Sequence, residues 1–244
     1  MRKNSFIQGA LILTVAGIIV KFIGAFSRIY LSRLLGGEGI GLYQMAYPIY
    51  LLCLSVSSAG LPVAISIMVA ERNAVNDYNG GQKVFRISMA ALVMTGLFFS
   101  VLLFFGSQWL VDTGIVRDPR AYWSLLALSP AVFCATLLAT LRGYFQGLQL
   151  MTPTAVSQIL EQVVRVVTMI AFAVILLPYG LEFGAAGATL GAAPGAFMGI
   201  VVLIGFYYMT RSWRKELAAE QDPSIKPQSA LFIIKRLLIL AITV

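Results

Sequence analysis

Apolar residues run through this chain in long unbroken blocks, without the alternation of a half-buried strand or the one-sided stripe of a surface helix. Blocks near 6–34, 41–69, 87–106, 121–141, 153–178 and 184–209 are each long enough to cross a hydrocarbon core, which takes roughly 20 helical residues. The pattern predicts an all-α integral membrane protein with six spans. A seventh block opens near Ala230, but only eight uncharged residues follow Arg236, Val244 included, so it reads as the start of a further helix. Met1-Arg2-Lys3-Asn4 precedes the first block as in a secretory signal, yet no small-residue cleavage site follows and the run is too long. A retained first helix is expected.

Between the sixth and seventh blocks lies the longest polar stretch, with Arg211, Arg214, Lys215 and Lys226, three acids and two prolines. The expected organisation is a six-helix lobe over 1–210, a linker over 211–229, and the opening of another helix over 230–244. Lys235-Arg236 followed by Leu237 to Val244 echoes the chain's own start, where Arg2-Lys3 precede Ala10 to Val15. That echo suggests a second copy of the lobe, the parallel-repeat pattern of many transporters.

Composition narrows the chemistry. Hydrophobic residues make up 59% and charged residues 11%, against about 25% charged in soluble domains. There is no His, and Cys53 and Cys134 both sit in apolar runs, where a thiol acts as a small packing group. The usual groups for metal sites and for Ser-His or Cys-His catalysis are missing, so neither an enzyme nor a bound metal or cofactor is expected.

The formal charge of +8 would suggest a nucleic-acid partner on a soluble protein. Its distribution gives another reading. Arg2, Lys3, Arg72, Lys83, Arg86, Arg142, Arg211, Arg214, Lys215 and Lys226 fall on one side of the spans, against Arg33, Arg117 and Arg120 on the other. By the positive-inside rule the N-terminus and the 70–86, 142–152 and 210–229 connections are cytoplasmic.

Charges inside spans cost about 2.5–3.5 kcal/mol each on insertion scales and mark partners, wet cavities or interfaces. Lys21, Arg28, Arg33, Glu161 and Arg165 are the candidates. Lys21 and Arg28 are seven apart and share one face of the first helix, with Lys21 about 22 Å and Arg28 about 33 Å beyond Phe6. Arg33 can reach the outer interface by snorkelling. In the fifth span, Thr152 and Pro153 suggest an N-cap and first helical residue, and Gln158, Glu161, Gln162 and Arg165 then form a polar stripe. Glu161 and Arg165 can neutralise one another across one turn, or Arg165 can spend its spare donors on an anion.

Pro62 and Pro130 are expected bending points. Gly187, Gly191, Gly195 and Gly199 stand at four-residue spacing and predict a groove for close approach of another helix backbone, with no substrate contact.

Two stretches carry a likeness. Lys21-Phe22-Ile23-Gly24-Ala25-Phe26-Ser27-Arg28-Ile29-Tyr30-Leu31-Ser32-Arg33-Leu34-Leu35-Gly36 leads into Gly39-Ile40-Gly41-Leu42-Tyr43-Gln44 and then Ser58-Ala59-Gly60-Leu61-Pro62. Arg142-Gly143-Tyr144-Phe145-Gln146-Gly147 runs into Thr152-Pro153-Thr154 and Gln158-Ile159-Leu160-Glu161. Together they resemble the polysaccharide-biosynthesis exporters of the MOP superfamily, most of all the stage V sporulation protein B group, relatives of the MurJ-type lipid II flippases.

The resemblance implies the six-helix N-lobe of a MOP/MATE-type transporter, in a multi-pass protein of the bacterial plasma membrane whose C-terminal lobe is missing here. It implies export of a lipid-linked oligosaccharide pyrophosphate, such as a peptidoglycan or spore-cortex precursor, by alternating access around a cationic cavity. Membrane lipid would hold the tail. Arg28 matches a functional base of the first helix in MurJ-type flippases, and Lys21 matches more loosely. Those flippases also carry an acid at the start of the second span and an arginine within it, where this chain reads Gly41-Leu42-Tyr43 and Ser55-Val56-Ser57-Ser58. An ion-coupled multidrug antiporter of the same superfamily is the alternative, opposed by the excess of intramembrane bases over Glu161. A non-transporting scaffold for envelope assembly is the third, and it gives no reason for charge at mid-membrane.

Overall fold

A computed structural model describes residues 3–58, 60–219 and 229–243, and these are helical almost throughout. The first helix, α1 (Lys3–Ser58), is two limbs joined at Gly36, whose φ of 67° and ψ of −177° only glycine adopts readily. Its turn is thus tighter than the 35–40 connection the hydropathy suggests. The second limb is continued by α2 (Leu61–Ala74) beyond Gly60, at φ 72°. Then come α3 (Tyr78–Asp112), α4 (Tyr122–Gly147), α5 (Met151–Leu176), α6 (Leu181–Leu190), α7 (Ala192–Met209), α8 (Arg211–Ala219) and α9 (Ala230–Thr243).

Among the described residues, five stretches are long and apolar enough to cross a membrane: Ile7–Ala74, Tyr78–Asp112, Pro119–Gly147, Met151–Tyr179 and Leu181–Met209. The first has 68 residues, about 100 Å of helix against a core of about 30 Å, and it folds back at Gly36. Six crossings result, as the hydropathy predicts. Their connections gather at two ends. At one end Arg120 binds both Glu38 and Asp118 at 2.7 Å, and its guanidinium holds the Asp118 carboxyl below the usual carboxylate range. At the other, Arg72 pairs with Asp77 at 3.1 Å.

Two apolar cores stack between these ends. Leu31, Leu35, Leu42, Leu125, Leu128 and Val132 belong to one, beside the Gly36 bend. Ile65, Met68, Phe85, Leu138, Phe145 and Leu203 belong to the other. With hydrocarbon outside as well as inside, burial alone does not hold such helices together, and close backbone approach does. The glycine stripe supplies it. A Cβ on Gly187 would stand 2.5 Å from the carbonyl oxygen of Phe172, one on Gly191 2.6 Å from Cα of Met169, and one on Gly195 2.7 Å from Cβ of Arg165. The helix seated in the expected groove is therefore α5. Gly143 and Gly147 likewise let α4 meet the backbone of α2 at Pro62 and Ser66.

The two prolines differ. Pro130 lies inside α4 and leaves the carbonyl of Leu126 without its helical donor. The Ser129 hydroxyl donates to that carbonyl at 2.8 Å, and Ser100 donates to the carbonyl of Ser129 at 2.7 Å. Pro62 stands in the first turn of α2, where a missing N–H costs nothing, and the break itself is at Gly60. In α5 the helix opens at Met151 after Leu150, with no side-chain cap, which corrects the expected Thr152 N-cap. Arg211–Ala219 of the expected linker is helical, while 220–228 lie outside the described residues. Helix α9 packs Ile233 and Leu237 into the second core, and its Arg236 pairs with Glu71 at 2.8 Å.

Candidate functional site

The polar stripe of α5 and a base from α4 meet at one carboxylate. Arg142 Nη2 donates to Glu161 Oε2 at 2.6 Å and its Nε to Ser157 Oγ at 3.2 Å. Arg165 Nη2 donates to the other oxygen, Glu161 Oε1. The side chains are 19%, 13% and 23% exposed for Arg142, Glu161 and Arg165, so the triad sits in a mostly dry place. One carboxylate offsets one of two guanidinia, and a positive charge is left over. Arg165 also retains a buried Nε with no partner among the described residues. An ion pair this dry needs its hydrogen bonds to offset desolvation, and here the carboxylate takes a charge-assisted bond on each oxygen.

The seat of the triad follows from the fold. A Cβ on Gly195 would also meet the Glu161 carbonyl at 2.9 Å, so α5 lies against α7 with its charged side chains turned to the α1 and α4 side. Gly24 of α1 faces the Gln162 amide, its missing Cβ 3.3 Å from Nε2.

Three cavities follow one another across the bundle. The first, about 390 Å³, is lined by Arg142, Glu161, Arg165, Gln146, Tyr47 and Tyr50. The second, about 130 Å³, joins Arg165 and Gln162 of α5 to Arg28 and Ser27 of α1. The third, about 510 Å³, holds Arg28 with Ser32, Tyr43, Gln44, Tyr47 and Pro48. Arg165 lines the first and second, and Arg28 the second and third.

Of the bases marked in the sequence, Arg28 and Arg165 come together on one cavity. Lys21 is exposed, as Arg28 is, on the same face of α1 but lines none of the three, and Arg33, exposed near the Gly36 bend, also lines none. Sequence reasoning missed Arg142. The apolar pattern places it in a 142–152 connection, whereas α4 runs on to Gly147 and the connection is only 148–150. The signal available was the aromatic run Tyr144-Phe145 after it, which continues the helical pattern.

The model of the polysaccharide biosynthesis protein family matches residues 6–242. The chain belongs to that family. Among its relatives, stage V sporulation protein B of Bacillus subtilis is 39% identical over 203 residues, covering 83% of this chain and 39% of that protein. Lipid II flippase MurJ of the same organism is 30% identical over 240 residues, covering 94% of this chain and 43% of that protein. The chain thus spans about two fifths of the length of these relatives. A solved MATE structure aligns with a TM-score of 0.74 at 15% identity, over 99% of this chain and 53% of that one. A MOP superfamily transporter from Pyrococcus furiosus aligns with a TM-score of 0.69 at 16% identity, over 96% and 50%. At such identities the likeness is one of fold: this member of the family has the helical lobe architecture of MOP transporters and is a multi-pass bacterial membrane protein.

Proposed function

We propose that this chain is one lobe of a transporter that flips a lipid-linked sugar pyrophosphate, a cell-wall or spore-cortex precursor, across the bacterial plasma membrane. The observation that carries the reading is the shared cavity of Arg28 and Arg165, continued to Arg142 through Glu161. Guanidinia bind diphosphate oxygens through paired charge-assisted hydrogen bonds, and the bilayer holds the tail. A second lobe, in relatives more than twice this length, faces the exposed side of α1 that carries Lys21. Alternating access then rocks one lobe against the other, with Gly60-Pro62 and Pro130 absorbing the bends. The N-terminus and the Arg72, Lys83, Arg86 end lie in the cytoplasm, by the excess of bases there. The protein needs no catalytic group for this task.

The test is transport by the full-length protein in proteoliposomes, with a fluorescent polyprenyl diphosphate sugar as cargo. Arg28→Gln and Arg165→Gln should each slow flipping at least tenfold. Unchanged rates in both variants reject the cationic route. Efflux of cationic dyes, abolished by Glu161→Gln, would replace it with the antiporter.

A further inference from the structure

Tyr43, Tyr47 and Tyr50 stand at i, i+4 and i+7 on the second limb of α1, which puts them on one side of the helix. The rings of Tyr43 and Tyr47 stack with centroids 5.7 Å apart and planes at 19°, and Tyr47 meets Tyr50 at 5.7 Å and 45°. Their surroundings differ. Tyr50 is buried with Leu42 and Ala46 in the core beside the Gly36 bend. Tyr43 and Tyr47 are half-buried and line both cavities that hold Arg28. Both rings also pack on that core, yet each borders the open spaces of about 130 and 510 Å³ beside Arg28, whereas Tyr50 reaches only the cavity of Arg142 and Glu161. The larger falls in the range of roughly 300–1,000 Å³ usual for ligand pockets.

We propose that Tyr43 and Tyr47 seat the sugar ring of the cargo, beside the arginines that take its phosphates. The inference rests on the diphosphate reading above and adds a subsite to it. A pyranose presents a C–H face ringed by hydroxyls. Tyrosine rings offer a polarisable face with a polar tip, and the Gln44 and Gln162 amides line the same two cavities, supplying donors and acceptors for the rim, while the Ser27 and Ser32 hydroxyls, which donate to the Gly24 and Ile29 carbonyls, add acceptors. Arg28 borders both cavities, so a diphosphate on it holds the next group of the molecule against the tyrosine pair. A glycosyl diphosphate uses all three features. A fatty acid has no use for the amides, and a cationic amphiphile is repelled by Arg28 and Arg165.

The test compares two ligands on the chain in nanodiscs: a short polyprenyl diphosphate, and the same lipid carrying N-acetylglucosamine. The wild-type chain should bind the sugar-bearing lipid more tightly. Tyr43→Leu and Tyr47→Leu should each weaken it roughly threefold to tenfold, the scale of an aromatic contact, and leave the bare diphosphate within about twofold. Tyr43→Trp, which keeps a platform, should retain at least wild-type affinity for the sugar-bearing lipid, and it guards against reading misfolding as lost binding. Equal weakening of both ligands, weakening of neither, or no wild-type preference for the sugar would overturn the subsite. An Arg28→Gln chain that still binds both ligands normally would instead sink the diphosphate reading, and this inference with it.

Discussion

Replacing Gly195 by alanine probes the contact that aims the charged face of α5. The added Cβ would stand 2.7 Å from Cβ of Arg165 and 2.9 Å from the Glu161 carbonyl, where ordinary contact begins at 3.4 Å. Neither neighbour can rotate away, since one is a backbone atom and the other is fixed to the backbone. Helices α5 and α7 must separate by about 0.7 Å to reach that distance. Overpacking of this kind costs about 1–3 kcal/mol. Alanine also gains about 1 kcal/mol over glycine in a helix interior, so the comparison needs a second site in the same helix. Gly205 is that site, with nothing within 4 Å of its added Cβ. The difference between Gly195→Ala and Gly205→Ala removes the propensity gain and leaves the clash, about 1–3 kcal/mol. Thermal unfolding in detergent, followed by tryptophan fluorescence, should show Gly205→Ala at or above wild type and Gly195→Ala several degrees below Gly205→Ala. A Gly195→Ala chain as stable as Gly205→Ala would refute the seating of α5 described here.

The bend at Gly36 has open space around it but a backbone reserved for glycine, so Gly36→Ala should lose about 1–3 kcal/mol by the same melting assay, and Gly17→Ala, in open space on the same helix, should lose nothing. Ser57 and Thr136 share a buried hydrogen bond of 2.8 Å between α1 and α4; a double-mutant cycle with Ser57→Ala and Thr136→Val should give a coupling of about 0.6–1.7 kcal/mol, and additive effects would contradict that contact. Glu161→Gln frees two guanidinia from their counter-charge, so it should lower the melting point while tightening pyrophosphate binding about tenfold at low salt, the scale of one charged hydrogen bond. Weaker pyrophosphate binding in that variant would mean that the carboxylate orders the arginines rather than competing with the anion.

The spans were legible because a membrane demands long apolar blocks, and Glu161 and Arg165 because charge inside such a block is costly. The stripe from Gly187 to Gly199 announced a close approach, but periodicity on one helix cannot name its partner, which is α5 at Gly187, Gly191 and Gly195 and first Leu138 of α4 at Gly199. Arg142 was hidden by its position: five residues before Gly147, where α4 ends, a base reads as part of the cytoplasmic fringe until the helix is seen to carry it against Glu161. The tyrosines of α1 escaped notice because an aromatic stripe at helical spacing looks like core. Partial exposure and a place on the two Arg28 cavities distinguish Tyr43 and Tyr47 from buried Tyr50, which borders only the cavity of Arg142 and Glu161. Lys21 and Arg28 share a face by arithmetic, but the path of α5 brings Gln162 and Arg165 to the level of Arg28 and leaves Lys21 outside.

Arginines from α1 and α5 are proposed to hold one anion between them. Equilibrium binding of a short polyprenyl diphosphate to the chain in nanodiscs tests this, with Arg28→Gln, Arg165→Gln and Arg33→Gln measured together. Loss of a charged hydrogen bond, about 1.5–3 kcal/mol, corresponds to roughly tenfold to a hundredfold in Kd. That loss is expected for Arg28→Gln and Arg165→Gln, and a change within about twofold for Arg33→Gln. Equal losses in all three, or none in the first two, would contradict the proposal.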